Sequence, residues 1–281
     1  MVRYNCVVPD DLQLATSLAR AAAAAILDVK SVARGRSQLK ADLSPVTVAD
    51  LAADRVLRDG LASTGDIVVT EESWTEAILP PAGRVWIIDP LDGTEDFVAG
   101  RADYVVQVAL IIDGRPHLGV VCQPETGRLW RGVVGDGFAE RFDDDVVTRL
   151  VMPAAGVLQG PPRIAASISH PSALVDFVVG ELGGVVVPVG SVGLKIGLLL
   201  DGGADAYVTA SKRIKVWDTG APAAVLLAAG GVVTTLSQRE LRYDGAVLHD
   251  DGFCAWGVPA KTTLQPLLER ALRLFRTAQG P

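Results

Sequence analysis

Apolar residues recur along this chain with two periods, and the switches between them predict its elements. Asp10 or Asp11 can cap a first helix, an Ala-rich amphipathic segment with Leu12, Leu18, Ala22 and Ile26 on its apolar face. Thr47 reads as the N-cap of a second helix, with Asp50 three residues on, close to a capping box. That helix runs through Leu51, Val56 and Leu57 to a stop at Gly60. Short unbroken apolar runs at 67–70 and 85–88 then read as buried strands, because each is bounded by turn or polar residues. The second is expected to stop at Asp89-Pro90, with Asp92-Gly93-Thr94 on a tight turn beyond it.

Strands at 105–112, 117–122, 129–134 and 138–142 read as an antiparallel meander, with Asp113-Gly114 as a hairpin signal. Residues 143–145 are an acidic, solvated turn without the spacing of a calcium loop. Small residues, Pro and Gly at 152–162 suggest a join between an N-terminal lobe, 1–155, and a C-terminal lobe, 156–281. Beyond it strand and helix alternate. Strands are expected at 164–167, 185–187 (closed by Pro188), 204–209 and 232–235. Helices are expected at 171–182, from Gly190-Ser191 to Gly202, at 218–229 and at 264–275. That alternation predicts an α/β fold of layered helices and sheets.

Composition narrows the function. Hydrophobic residues make up 49% of the chain, enough for a sizeable core, and a formal charge of −7 disfavours a nucleic-acid polymer or membrane surface as partner. Cys6, Cys122 and Cys254 are odd in number and far apart, and the histidines (His117, His170, His249) stand alone. A disulfide framework and a zinc site are therefore not expected, and the chain reads as a cytoplasmic protein. The alanine run at 21–25 is too short to span a membrane.

Candidate chemistry starts at Asp89-Pro-Leu-Asp92-Gly-Thr94. Like charges placed this close repel unless a cation lies between them, and a hard divalent metal such as magnesium prefers oxygen ligands. The alternative is a plain Asp-Gly turn. Glu71-Glu72 repeats the situation at the end of the 67–70 strand, and Asp218 opens an apolar helix, where the dipole favours a negative charge. In layered α/β folds such strand ends and helix starts converge on a ligand crevice.

Taken together, Glu71-Glu-Ser, Asp89-Pro-Leu-Asp-Gly-Thr94 and Trp217-Asp218 resemble the magnesium-dependent, lithium-sensitive phosphomonoesterases of the inositol monophosphatase and fructose-bisphosphatase superfamily. The resemblance runs from Lys40 to Gly231 and implies that family's α-β-α-β-α sandwich. It implies that Glu71, Asp89, Asp92 and the Leu91 carbonyl hold one Mg2+, and that Asp92, Asp218 and Asp89 hold another, with two or three ions per site. Asp50 and Thr94 would orient the attacking water, and the backbone N–H groups of Gly93 and Thr94 would receive the phosphate.

For the substrate, the segments 204–211 and Lys215-Val-Trp-Asp-Thr-Gly-Ala-Pro222 are similar to the 3'(2'),5'-bisphosphate nucleotidase branch. Ser167-Ile-Ser-His170 matches a Ser-x-Ser-His element, and Ser191 to Lys195 a Gly-rich segment ending in Lys. The resemblance implies that Ser167, His170, Ser191, Lys195 and Lys215 line the substrate, adenosine 3',5'-bisphosphate, with Lys195 as a compact charge for the 5'-phosphate. Without the resemblance, His170 reads as a helix-start residue and Lys195 as a surface cation. Glu95-Asp96 and Ile168 depart from the nucleotidase pattern, so an inositol, sugar, histidinol or nucleoside monophosphate stays as the alternative substrate. A homodimer is implied by the resemblance alone.

Overall fold

A computed structural model describes residues 9–33, 37–39, 45–153, 158, 160–211 and 213–278. Cys6, Lys40 and part of the expected join at 152–162 lie outside the described residues. Helix α1 (Pro9–Ala33) is followed by a two-residue pair, β1 (Gln38–Leu39) with β2 (Pro45–Val46), and by α2 (Val48–Leu61). Asp10 and Asp11 lie in the first turn of α1 rather than at its cap. One span of α1, Asp10–Ser31, is long and apolar enough to cross a membrane, well beyond the alanine run. Its residues Ala15, Ala19, Ala22 and Ile26 are nonetheless buried against the first sheet, as a core helix requires.

That sheet has seven strands in sequence order: β3 (Ile67–Thr70), β4 (Arg84–Asp92), β5 (Val105–Ile112), β6 (Arg115–Cys122), β7 (Leu129–Val133), β8 (Phe138–Asp143) and β9 (Val146–Arg149). β3 runs parallel to β4, and the remaining pairs are antiparallel. A five-residue helix, α3 (Thr94–Val98), sits between β4 and β5. Both faces are covered, which is why the strands read as unbroken apolar runs rather than alternating ones. Trp86, Ile88, Val106, Val108 and Leu110 face α1 and α2. Val85, Ile87, Val105, Ala109 and Ile111 face the middle of the molecule.

The second sheet has the order β11-β10-β12-β14-β13. Its strands are β10 (Arg163–Ser167), β11 (Val185–Val189), β12 (Ala206–Thr209), β13 (Val232–Thr234) and β14 (Phe253–Trp256). Helices α5 (Val192–Leu200) and α6 (Val216–Ala228) fill the layer between the sheets, and one hydrophobic cluster runs through all three. α4 (Ala173–Glu181) and α7 (Val258–Ala278) cover the outer face of the second sheet. The result is the expected five-layer α-β-α-β-α sandwich. α6 seats closely on the first sheet because Gly119 has no side chain: a Cβ there would lie 2.2 Å from the Ala221 carbonyl oxygen.

Several elements differ from the sequence reading. β3 is an edge strand, so Ile67 is 46% exposed rather than buried. Pro188 lies inside β11 instead of closing it, which an edge strand tolerates because one row of its N–H groups needs no partner. Asp143 ends β8 in ion pairs with Arg128 and Arg141, and only Asp144-Asp145 forms the turn. β9 and β14 carry too little contrast with their surroundings to be read from sequence, although β14 is an inner strand. β4 does not stop at Asp89-Pro90, and that difference shapes the site.

Candidate active site

β4 runs through Asp89-Pro90-Leu91 to Asp92, and its register against β5 shifts on the way. Asp89 lies opposite Gln107 and Asp92 opposite Val105, so three steps on β4 match two on β5. In a regular strand, residues three apart point to opposite faces. One extra residue, a β-bulge, restores them to the same face and supplies the room that Pro90 needs. Asp89 and Asp92 thereby both point into the middle layer, beside Val105, while Leu91 packs on the α1/α2 side.

Two further carboxylates meet them there. Glu71 follows the end of β3, where its N–H donates to the Ile88 carbonyl. Asp218 lies in the first turn of α6 and accepts from the Lys215 N–H at 2.7 Å, giving α6 its N-terminal cap. Carboxylate oxygens of Glu71, Asp89 and Asp218 lie within 4.8 Å of one another. Asp89 also accepts from the Leu91 N–H at 3.0 Å, which fixes its rotamer. Burial holds the Asp218 carboxyl well above the usual range, and the charges of Asp92 and Glu71 push it further. The carboxyl of Asp92 is raised to about 6, first by burial and against the Gly193 N–H and the Lys195 charge. Such a set of mutually repelling hard oxygen donors fits a divalent cation, whose charge would reverse the repulsion.

Asp50 and Thr94 stand next to this group. Thr47 caps α2, accepting from Ala49 N–H at 3.1 Å, and Asp50 Oδ2 accepts from the Thr47 N–H and hydroxyl at 2.7 and 2.6 Å. The other oxygen, Oδ1, lies 2.9 Å from Thr94 Oγ1. Thr94 Oγ1 is also 3.1 Å from the Leu91 carbonyl oxygen. Gly93, with φ of 101°, turns the chain from β4 into α3 in a conformation that favours glycine.

The residues expected around a substrate are placed less uniformly. Ser167 accepts from the His170 N–H at 3.2 Å, ordering the Ser-x-Ser-His loop. His170 Nε2 lies 3.3 Å from Glu95 Oε1 and 3.2 Å from Arg213, with His170 and Arg213 exposed and Glu95 half-buried. Asp96 receives Arg101 Nε at 2.5 Å and the Ser169 hydroxyl at 3.2 Å, joining α3 to the same loop. Lys215 lies over the Trp217 ring at 5.3 Å. Ser191 is a buried N-cap of α5, accepting from Leu194 N–H at 3.1 Å.

Lys195 is not a surface cation. It is 2% exposed, and its ammonium donates to the carbonyls of Gly190 and Ser191 and lies 5.3 Å from the Tyr207 ring centroid. Burial lowers its pKa to about 8, against the raising effect of Asp92, Asp96, Asp218 and Asp103. Two residues in contact with the candidate site residues His170 and Asp92 escaped the sequence reading. Arg213 sits in a polar loop with no signal to mark it. Gln107 had one: it is the lone polar residue of Val-Val-Gln-Val-Ala-Leu-Ile-Ile.

The profile of the inositol monophosphatase family matches residues 10–270. The chain belongs to the inositol monophosphatase family. It is 35% identical over 254 residues to the 3'-phosphoadenosine 5'-phosphate phosphatase of Mycobacterium leprae, covering 83% of this chain and 84% of that protein. It is also 35% identical over 237 residues to the 3'(2'),5'-bisphosphate nucleotidase CysQ of Escherichia coli O157:H7, covering 80% of this chain and 91% of the relative. Among solved structures, CysQ from Bacteroides thetaiotaomicron superposes with a TM-score of 0.73 at 26% identity, over 89% of this chain and 97% of that one. Like other members of this metal-dependent family, the chain is a phosphoric monoester hydrolase, and its acidic cluster suits a metal.

Proposed function

We propose that this enzyme is a magnesium-dependent nucleotidase that hydrolyses the 3'-phosphate of adenosine 3',5'-bisphosphate to AMP and phosphate. The observation that carries the reading is the meeting of Glu71, Asp89 and Asp218 with Asp92 beside them, one wall of which is the Asp50–Thr94 pair. The nucleotide substrate is favoured by the names of the two relatives at 35% identity.

Glu71, Asp89, Asp92, Asp218 and the Leu91 carbonyl would hold two or three Mg2+ ions, which supply a more acidic water and charge stabilisation at the leaving oxygen. Thr94 gives its hydroxyl hydrogen to Asp50 Oδ1, leaving its oxygen lone pairs to accept a hydrogen from the attacking water. That contact aims the water and passes its proton towards Asp50. The N–H groups of Gly93 and Thr94 receive the phosphate. Ser167, His170, Ser191, Lys195 and Lys215 shape the substrate pocket, with Ser191 and Lys195 acting from buried positions through the α5 start. The segments 1–155 and 156–281 each contribute to this one site, as a cytoplasmic homodimer inhibited by lithium at the magnesium positions.

A second reading, a monophosphate ester as substrate, is favoured by Glu95, whose carboxylate beside His170 would repel a second phosphate. Phosphate release from adenosine 3',5'-bisphosphate, measured beside inositol, histidinol and nucleoside monophosphates, decides between them. A kcat/KM preference for any monophosphate overturns the nucleotidase assignment.

A further inference from the structure

We propose that Gln107 is a positioning residue that, together with the main-chain N–H of Gly193, determines which oxygen of Asp92 faces the metal site. Gln107 is 0% exposed in the centre of β5, among Val105, Ala109 and Ile111 on the same sheet face. Its Nε2 donates to Asp92 Oδ2 at 2.5 Å. The Gly193 N–H donates to that same oxygen at 3.0 Å. With Gln107 and Gly193 both held on Oδ2, Oδ1 is the oxygen left to turn to a cation, while the Val192 N–H also approaches the carboxylate.

The placement is costly for the fold, which argues that the contact with Asp92 accounts for it. Gln107 Oε1 is buried and has no hydrogen-bond partner. A buried polar atom left in this state carries an uncompensated desolvation cost, which an apolar residue at this strand position would avoid. The same strand segment is otherwise wholly apolar. Bonds from a neutral amide to an ionised carboxylate are among the stronger hydrogen bonds, so the Gln107 contact with Asp92 offsets that cost.

Gly193 completes the arrangement through its lack of a side chain. A Cβ there would lie 2.7 Å from Val105 Cγ2 and 2.9 Å from Val121 Cγ1, so only glycine lets the first turn of α5 reach the strand that Gln107 occupies. The α5 start therefore delivers an N–H and a favourable dipole end to the Asp92 carboxylate. β5 and α5 come from distant parts of the chain, and both close on one oxygen.

The proposal rests on Asp92 as a metal ligand, and the test separates the two. The full-length protein, stripped with a chelator, is titrated with MgCl2 by calorimetry as wild type, Gln107→Leu, Gln107→Met and Asp92→Asn. Loss of an orienting partner of a ligand weakens metal binding by about 10- to 100-fold. Both Gln107 variants are expected to weaken Mg2+ binding by on the order of 10-fold, and to recover most of wild-type kcat at saturating MgCl2. A purely structural role would shift the melting temperature and leave Mg2+ affinity alone. Gln107→Met, unbranched and close to Gln in length, serves if the Leu variant does not fold. Wild-type Mg2+ affinity in a folded Gln107 variant, with Asp92→Asn impaired, overturns the proposal while keeping Asp92 as a ligand. Wild-type affinity in Asp92→Asn overturns both.

Discussion

Asp50 and Thr94 are joined at 2.9 Å through Asp50 Oδ1, while Asp50 Oδ2 is committed to Thr47 and the cap of α2. One carboxylate thus anchors a helix with one oxygen and holds a hydroxyl at the site with the other. Cap and candidate catalytic group are two ends of one side chain. The α2 cap fixes where Oδ1 points, so local helix chemistry sets the geometry of the water-orienting pair.

The two roles separate by mutation. Thr94→Val removes the hydroxyl and is expected to lower kcat by about 10²–10⁴-fold, the range of general acid–base contributions, with Mg2+ affinity unchanged. Thr47→Ala removes the cap hydroxyl and costs about 1 kcal/mol of stability, while kcat falls far less than in Thr94→Val because the residue 47 N–H still holds Asp50 Oδ2. Phosphate release and thermal melts on the same preparations read both. A Thr94→Val enzyme with wild-type kcat would remove Thr94 from the reaction.

Burial of Asp92 and Asp218, reinforced by carboxylate repulsion, gives the metal-free protein an inverted pH dependence. Asp92 is raised to about 6 and Asp218 also lies well above its ordinary value, so these two groups hold more protons in the fold than in the unfolded chain between about pH 4 and their folded values. Stability contributed by these groups is present in acid and is lost as pH rises through their folded values. Asp218→Asn is therefore expected to melt higher than wild type at pH 7.5 in chelator and to respond less to MgCl2. For wild type, Mg2+ at 100 times its Kd should add about 2.7 kcal/mol. That corresponds to roughly 5–10 °C for a protein of this size. Calorimetric scans with and without MgCl2 test it, and a destabilised metal-free Asp218→Asn would contradict it.

His249 acts in the opposite sense. It is 8% exposed, its Nε2 lies 2.8 Å from Thr219 Oγ1, and Tyr243 donates to that hydroxyl at 3.1 Å. Burial lowers its pKa from 6.5 to about 4, so the neutral imidazole is the folded form. The unfolded chain binds the extra proton between those values, and stability falls as pH drops through that window by roughly 3 kcal/mol in all. His249→Asn, compared with wild type in saturating MgCl2 between pH 7 and pH 4.5, should flatten that loss. Equal slopes for both proteins would rule His249 out as its source.

At the rim, Glu95 lies 3.3 Å from His170. Glu95→Gln removes a negative charge from the mouth of the site and is expected to lower KM for a bisphosphate several-fold more than for a monophosphate. Lys195→Ala is expected to lower stability as well as activity, because it takes the ammonium donor from the Gly190 carbonyl and leaves Ser191 only its main-chain bond from the residue 195 N–H. KM ratios across the two substrate classes check the first; melting temperatures check the second. An unchanged KM ratio in Glu95→Gln would separate Glu95 from substrate choice.

Much of this protein is determined by local sequence. The capping box at Thr47 and Asp50, the Asp113-Gly114 hairpin, and the buried strands on either side of it follow from near-neighbour spacing, and so does the order of the acidic motifs. Period and cap signals act over a few residues, so they survive without knowledge of the fold. What the tertiary structure alone decides is which face each charge reaches. Asp89 and Asp92 share a face only because β5 pairs with β4 in a register that forces a bulge, and nothing within β4 specifies that partner. Lys195 and Gln107 are buried because α5 packs across β5, a contact between segments more than eighty residues apart. Side-chain period is local; register and layer packing are set by distant segments competing for the same buried surface.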